Sequence, residues 1–179
     1  MLYAGIGTGE ELPGALEAGL RATALDSSAA MLRRAQRRLG AAHTEVEFRC
    51  ESVFEHRPRQ PYDAVVANFF LNVFSPSSMP KVLRRLKSFL RSEGLLLIGD
   101  FAPPANRWFE RLAQYLYYLP PLVLFRLLTK NAWHPLYDYR VVAGQLGLAL
   151  VGVERVRVFR HGPSWLCTLK FSKVAHGSR

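Results

Sequence analysis

Glycine recurs at alternate positions, Gly5, Gly7 and Gly9, and Asp26 follows 17 residues after the last of them. Each residue type in that series has a use around a nucleoside. Glycines let a ligand lie close against the backbone, and a helix beginning just beyond them offers free N–H groups. A carboxylate at the end of the following strand can accept both hydroxyl protons of a ribose. A dinucleotide loop of the form GxGxxG would need glycine or alanine at position 10, where this chain has Glu10, followed by Glu11. A pyrophosphate would meet those carboxylates at the helix N-terminus.

The loop therefore suits a nucleoside without a phosphate tail. The cationic sulfonium and amino group of S-adenosylmethionine match the acidic pair. Methyl transfer from a sulfonium needs positioning more than acid–base chemistry. If the acceptor is a phenol or enol, a base helps remove its proton, and the segment Trp133–Arg140 supplies His134, Tyr137, Asp138 and Tyr139 as candidates. A structural hydrogen-bonding role is the alternative for each. Cys50 and Cys167 show neither CxxC nor other metal-ligand spacing, so no metal site is expected.

These groups must be positioned by a series of strands and helices. An apolar run, Met1–Ala4, enters the glycine turn Gly5–Gly9, and a helical stretch continues to Glu17 or Ala18. A second strand, Arg21–Leu25, ends in Asp26. Ser27 and Ser28 are N-cap candidates for a helix that runs to about Leu39, where Gly40 closes it. Val46–Arg49 and Tyr62–Asn68 read as strands, the latter apolar in its middle, as a parallel strand covered on both faces should be. Ser78–Arg91 places Met79, Val82, Leu83, Leu86, Phe89 and Leu90 at helical spacing, and Gly94–Ile98 is a fifth strand.

Beyond Asp100 the pattern changes. Ala102–Ala105 is irregular, and Arg111–Lys130 is rich in Leu, Tyr and Phe around Pro120 and Pro121. Its apolar core, Leu112–Leu128, is shorter than the roughly 20 residues a bilayer requires. It reads as a helix pair packing on the domain, or as a lid over a greasy substrate or a surface that touches lipid. Ala149–Phe159 and Trp165–Phe171 complete the series as an antiparallel pair. The expected fold is α/β and Rossmann-like: a mostly parallel seven-stranded sheet, helices on both faces, an antiparallel C-terminal strand pair and a single continuous core. Residues 1–179 form one domain, with 101–140 as a substrate-cap insertion.

On these residues the chain resembles class I S-adenosylmethionine-dependent methyltransferases, particularly the small-molecule branch that includes ubiquinone and menaquinone methyltransferases. The resemblance covers about Met1 to Asp100. Leu2–Gly9 stands where that family commonly reads VLDLGCGTG, with Tyr3 at the usual acidic position. It implies that Gly5, Gly7 and Gly9 pass under the methionine part of the cofactor, that Asp26 holds the ribose, that Ser27 and Ser52 are among the cofactor-binding residues, and that Met31 packs on adenine. Taken alone, Met31 would be a core methionine on an apolar helix face. Cys50-Glu51-Ser52 stands in place of the family's Gly-Asp-Ala, so Glu51 is the counterpart that accepts the adenine amino proton. Asn68 falls where family members line the cleft near the methyl group. The segment that normally precedes the first strand is expected to be missing.

The chain carries 24 Lys and Arg against 14 Asp and Glu, a formal charge of +10. Much of the excess lies on the polar sides of two helices, at Arg33, Arg34, Arg37 and Arg38 and at Lys81, Arg84, Arg85, Lys87 and Arg91, where solvated faces account for it. Without a secretory signal, and with cysteines suited to a reducing compartment, a cytoplasmic location is expected, with peripheral membrane contact as its variant. The substrate expected is a lipophilic small molecule, quinone- or phenol-like, on the strength of Tyr115–Phe125. RNA methylation is the alternative raised by the charge, but Asn68–Leu71 lacks an Asn-Pro-Pro-Tyr-like clamp and no RNA-binding module is visible, so nucleic acid is not the expected partner. A fragment that binds the cofactor without turnover is the third reading.

Overall fold

The computed structural model describes residues 1–102, 107–129, 137–157 and 166–173, and the side chains of all these except 120–129 and 156. Strands β1 (Leu2–Ala4), β2 (Ala22–Asp26), β3 (Val46–Cys50), β4 (Tyr62–Asn68), β5 (Leu90–Phe101), β6 (Leu148–Val156) and β7 (Leu166–Lys173) form one seven-stranded sheet in the order β3-β2-β1-β4-β5-β7-β6. The first five pair in parallel; β7 inserts between β5 and β6 and runs antiparallel to both. The order reverses between β1 and β4, and ligands of open α/β sheets bind at the carboxyl ends of the strands flanking such a switch point.

Helices α1 (Leu12–Glu17), α2 (Ala29–Leu39), α3 (Met79–Phe89), α4 (Trp108–Thr129) and α5 (Tyr139–Gln145) supply the crossovers and cover. Ser28 caps α2, its Oγ accepting from the Met31 N–H at 3.3 Å, and Gly40 ends that helix at φ 57°. Strand pleating sends successive residues to opposite faces. Instead of a single continuous core, two apolar layers result. Leu2, Ala4, Val65, Ala67, Leu96 and Ile98 pack with α3 and α5, whereas Tyr3, Ala22, Ala24 and Val66 pack with α1 and α2.

Three further expectations are corrected. Strand β5 begins at Leu90, directly after α3, instead of Gly94: Leu90 and Arg91, read as the end of the preceding helix, belong to the strand, because Tyr62 pairs with Leu90 across a register shift, with Glu93 at φ 61°. The Leu112–Leu128 stretch is one helix instead of a pair, since α4 runs through Pro120 and Pro121. The prolines remove the donors for the carbonyls of Leu116 and Tyr117, but both residues are at the surface, where solvent can replace them. Finally, the segment read as a source of bases within the substrate cap leads into α5, with Asp138 as its N-cap.

Helix α4 turns Gln114 and Tyr118 inward, and the Gln114 Nε2 donates to the Ala102 carbonyl at 3.0 Å. Its outward stripe is apolar: Trp108, Leu112, Tyr115, Leu116 and Leu119 recur at helical spacing and are all exposed. No described helix is long and apolar enough to cross a membrane.

Candidate cofactor and acceptor site

The glycine loop connects β1 to α1 and is fastened to the end of β2. The N–H groups of Gly5 and Ile6 donate to the Leu25 carbonyl at 2.8 and 3.1 Å. Gly5, Gly7 and Gly9 all adopt positive φ, between 56° and 72°, the left-handed region that disfavours a side chain. Their surroundings differ. A Cβ on Gly5 would lie 2.0 Å from the Phe70 ring, and one on Gly9 would lie 2.7 Å from the Ala35 Cβ on α2, whereas a Cβ on Gly7 would have nothing within 4 Å. Gly5 and Gly9 are thus packed against protein. Gly7 has open space where its Cβ would be, and neither Gly7 nor Gly9 is among the walls of the two cavities described below.

Asp26 closes the loop. Its Oδ2 accepts from the Gly7 N–H at 2.9 Å and its Oδ1 from the Ser28 N–H at 2.8 Å, so one carboxylate ties the glycine turn to the start of α2. A carboxylate has about four acceptor positions, so lone pairs remain for a ligand diol. Arg38, from the basic face of α2, reaches back to the loop, donating to the Thr8 carbonyl at 3.2 Å and pairing with Glu10 at 3.4 Å.

Beside Asp26 lies a cavity of about 110 Å³, walled by Gly5, Leu25, Asp26, Ser27, Glu51, Ser52, Val53, Phe70 and Phe74. The structure therefore brings Gly5, Asp26, Ser27, Glu51 and Ser52 together around one space. Met31 is half-buried on α2 and is not among its walls. Ser52 also organises the following turn: its Oγ accepts from the Phe54 N–H at 3.3 Å, and its carbonyl accepts from the N–H groups of Glu55 and His56, each at 3.0 Å. Glu51 Oε1 lies 2.8 Å from His56 Nδ1, and His56 Nε2 lies 3.0 Å from the Tyr62 hydroxyl.

A second cavity, about 250 Å³, opens at the carboxyl ends of β4 and β5, lined by Glu10, Glu11, Asn68, Phe69, Gly99, Asp100, Leu166, Cys167 and Thr168. Asn68 Nδ2 donates to Glu11 Oε1 at 3.0 Å. A Cβ at position 99 would lie 2.3 Å from Asn68 Oδ1, so Gly99 is what admits this side chain. Phe69 stands half-exposed in the left-handed region at φ 48°. Its ring meets Phe101 at 5.4 Å between centroids, and Phe101 meets Tyr118 of α4 at 4.4 Å, an aromatic path from the cavity to the helix.

Asp100 is 3% exposed. Its Oδ1 accepts from Asn72 Nδ2 at 3.1 Å and from the Phe101 N–H at 2.7 Å, while the Tyr139 hydroxyl donates to Oδ2. Burial pushes its carboxyl up to about 6, against the opposing pull of these hydrogen bonds. The candidate bases Tyr137 and Tyr139 both spend their hydroxyls on the protein. The Tyr137 hydroxyl donates to the Phe74 carbonyl at 2.9 Å and that of Tyr139 to Asp100, and burial raises both phenols. Asp138 caps α5 and pairs with Arg140 at 2.6 Å. His134 lies outside the described residues.

Sequence reading missed Asp100 and His56 as members of these constellations. Asp100 had a signal, an acid ending a strand in the same manner as Asp26. His56 had none, because the residues that bury it come from β4 and α3.

A curated carboxy-S-adenosyl-L-methionine synthase from Helicobacter hepaticus is 28% identical over 97 residues, which span 54% of this chain and 40% of that protein. Among solved structures, the 1,6-didemethyltoxoflavin-N1-methyltransferase of Burkholderia thailandensis, with bound 1,6-didemethyltoxoflavin and S-adenosylhomocysteine, superposes with a TM-score of 0.68 at 20% identity, covering 97% of this chain and 70% of its own. The magnesium protoporphyrin IX methyltransferase of Synechocystis PCC 6803, with bound S-adenosylmethionine, gives 0.67 at 16% identity, covering 96% and 68%. These likenesses show the fold. The methyltransferase-domain family model matches residues 1–94, more than half of the chain and the part that contains the glycine loop, Asp26, Glu51 and Asn68; the chain belongs to the methyltransferase-domain family.

Proposed function

We propose that this chain binds S-adenosylmethionine at the glycine loop and transfers its methyl group to a small lipophilic acceptor, quinone- or phenol-like. The observation that carries the reading is the Asp26 carboxylate, anchored by the N–H groups of Gly7 and Ser28 at the edge of the cavity it shares with Gly5 and Glu51. The residues fit the cofactor. Asp26 keeps lone pairs for the ribose diol, Leu25, Val53 and Phe74 give apolar surface for a purine, and Glu51 offers a carboxylate to its amino group. Gly7 leaves room for close approach, and Glu11 with Asn68 provides polar groups toward the methionyl end.

When bound, the cofactor supplies a methyl group already activated by its sulfonium. The protein's work is then to align acceptor and methyl and to hold water away. Phe69, Leu166 and Cys167 give the cavity beyond Asn68 apolar walls for an acceptor ring. The path from Phe69 through Phe101 to Tyr118 ties that cavity to α4, whose outward apolar stripe suits an acceptor drawn from a lipid surface and a peripheral contact with that surface.

Calorimetric titration with S-adenosylmethionine and S-adenosylhomocysteine, wild type against Asp26→Ala, tests the cofactor assignment. Binding that disappears in a folded variant supports it, and a folded wild type that binds neither ligand overturns it. Methylated lipids extracted from cells with and without the protein test the acceptor class. Identical profiles would sink the lipophilic reading.

A further inference from the structure

His56 is 97% buried, yet it belongs neither to the glycine loop nor to the acceptor cavity. Its ring is held from several sides. Phe89 meets it edge-on at 5.1 Å between centroids, and Tyr62 stacks alongside at 6.0 Å. Its backbone is held as well: the N–H donates to the Ser52 carbonyl at 3.0 Å, and the carbonyl accepts from Arg85 Nη2 at 2.6 Å and from Arg57 Nη1 at 3.1 Å. A ring so confined has one orientation.

Chemistry then assigns its hydrogens. An ionised carboxylate only accepts, so the Glu51 contact at 2.8 Å places the proton on Nδ1. Nε2 and the Tyr62 hydroxyl lie 3.0 Å apart, and burial raises the Tyr62 phenol, which keeps it protonated and able to donate to Nε2. The relay runs Tyr62 to His56 to Glu51. It occupies Oε1 of Glu51 and, among the described residues, no protein group takes Oε2. That is the arrangement a carboxylate needs to be rigid and still have an acceptor to spare.

We infer that His56 is a positioning residue, which holds the Glu51 carboxylate in the orientation that receives the exocyclic amino group of the cofactor's adenine. The inference rests on the cofactor reading above and explains how a glutamate, with one more rotatable bond than an aspartate, serves there. Without a fixed partner, Glu51 would lose rotamer freedom on binding; His56 removes that cost beforehand. Ordering one such side chain corresponds to a three- to tenfold change in affinity, roughly.

The test is a cycle over protein and ligand. S-adenosylhomocysteine and its analogue with hydrogen in place of the adenine amino group are titrated against wild type, His56→Leu, His56→Asn, His56→Gln and Glu51→Gln, with thermal melts confirming folding. His56→Leu is expected to weaken S-adenosylhomocysteine roughly three- to tenfold and leave the analogue unchanged. Asn, whose amide nitrogen falls near the Nδ1 position, should restore affinity. Gln, whose nitrogen falls near Nε2, should not. Adding His56→Leu to Glu51→Gln should cost nothing more. Should His56→Leu fail to fold, the comparison of Asn with Gln decides the matter. Equal affinities across the His56 variants, or equal losses for both ligands, overturn the positioning role while leaving the cofactor site intact. A wild type that binds no S-adenosylhomocysteine overturns both.

Discussion

Asp100→Asn removes a charge from the one acid among the described residues whose side chain is buried, and keeps nearly the same shape. In the folded chain the carboxyl is pushed from 3.8 up to about 6, because burial penalises the ionised form more than the Tyr139, Phe101 and Asn72 hydrogen bonds favour it. That rise corresponds to about 3 kcal/mol. The sign follows from linkage. The folded state holds the proton more tightly than the unfolded one, so the stability from protonated Asp100 is fully present below pH 3.8 and is lost as pH rises through about 6.

Asparagine is neutral throughout that window. Its Oδ1 can still accept from Asn72 and the Phe101 N–H, while its amide nitrogen faces the Tyr139 hydroxyl, which must turn to accept instead of donate. Turning the Tyr139 hydroxyl from donor to acceptor offsets about 1 kcal/mol of the gain. Asp100→Asn is therefore expected to be more stable than wild type by about 2 kcal/mol at pH 7, with the advantage shrinking toward zero as pH falls to about 4. Urea unfolding at pH 7, 5 and 4, with the slope m compared at each pH, is the assay. The reasoning is refuted if the variant is less stable than wild type at pH 7. That result would mean the three hydrogen bonds outweigh burial and that Asp100 stabilises the fold as an anion.

Other substitutions separate the roles of the loop and the core. Gly9→Ala should destabilise the fold more than Gly7→Ala in thermal melts, because both carry the left-handed penalty of about 1–3 kcal/mol but only Gly9 drives a Cβ to 2.7 Å from Ala35. Gly7→Ala should stay folded and bind S-adenosylhomocysteine more weakly in a titration, since its new methyl meets no protein atom within 4 Å but strains the loop whose Gly7 N–H anchors Asp26. Leu83→Ala on α3, at a side chain with no exposure, should cost about 2–5 kcal/mol in urea unfolding. Trp108→Glu on the outward stripe of α4 should reduce co-sedimentation with anionic vesicles and leave the melting temperature unchanged, because that side chain is 77% exposed.

The parts of this molecule legible in its sequence are those whose residues answer to local rules. Tyr62–Asn68 was readable as β4 to the residue because its middle is apolar on both faces, and Ser28 and Gly40 marked α2 through cap chemistry that acts within a turn. The antiparallel end of the sheet was readable from two strand-like runs near the C-terminus, although the insertion of β7 beside β5 was not, since adjacency across a sheet is no property of neighbouring residues. The start of β5 failed for the same reason. Leu90 and Arg91 continue the helical spacing of the residues before them, and only the pairing of Leu90 with Tyr62 makes them strand.

The candidate site divides in the same way. Gly5, Gly7, Gly9 and Asp26 are close in sequence and carry residue types that backbone geometry demands, so their meeting around one loop could be read beforehand. The resemblance placed Glu51 at the same cavity, but its partner could not be read. His56 lies between Glu55 and Arg57 in a stretch without helical or strand periodicity, and a histidine among charges reads as surface. It is buried because Phe89 and Tyr62 arrive from α3 and β4, and Arg85 from α3 then reaches its carbonyl. Burial changes what the contact with Glu51 means. Exposed, the pair would be a weak surface interaction; enclosed by two aromatic rings, it gives the imidazole a single tautomer and the carboxylate a single direction, which is the property a recognition group requires.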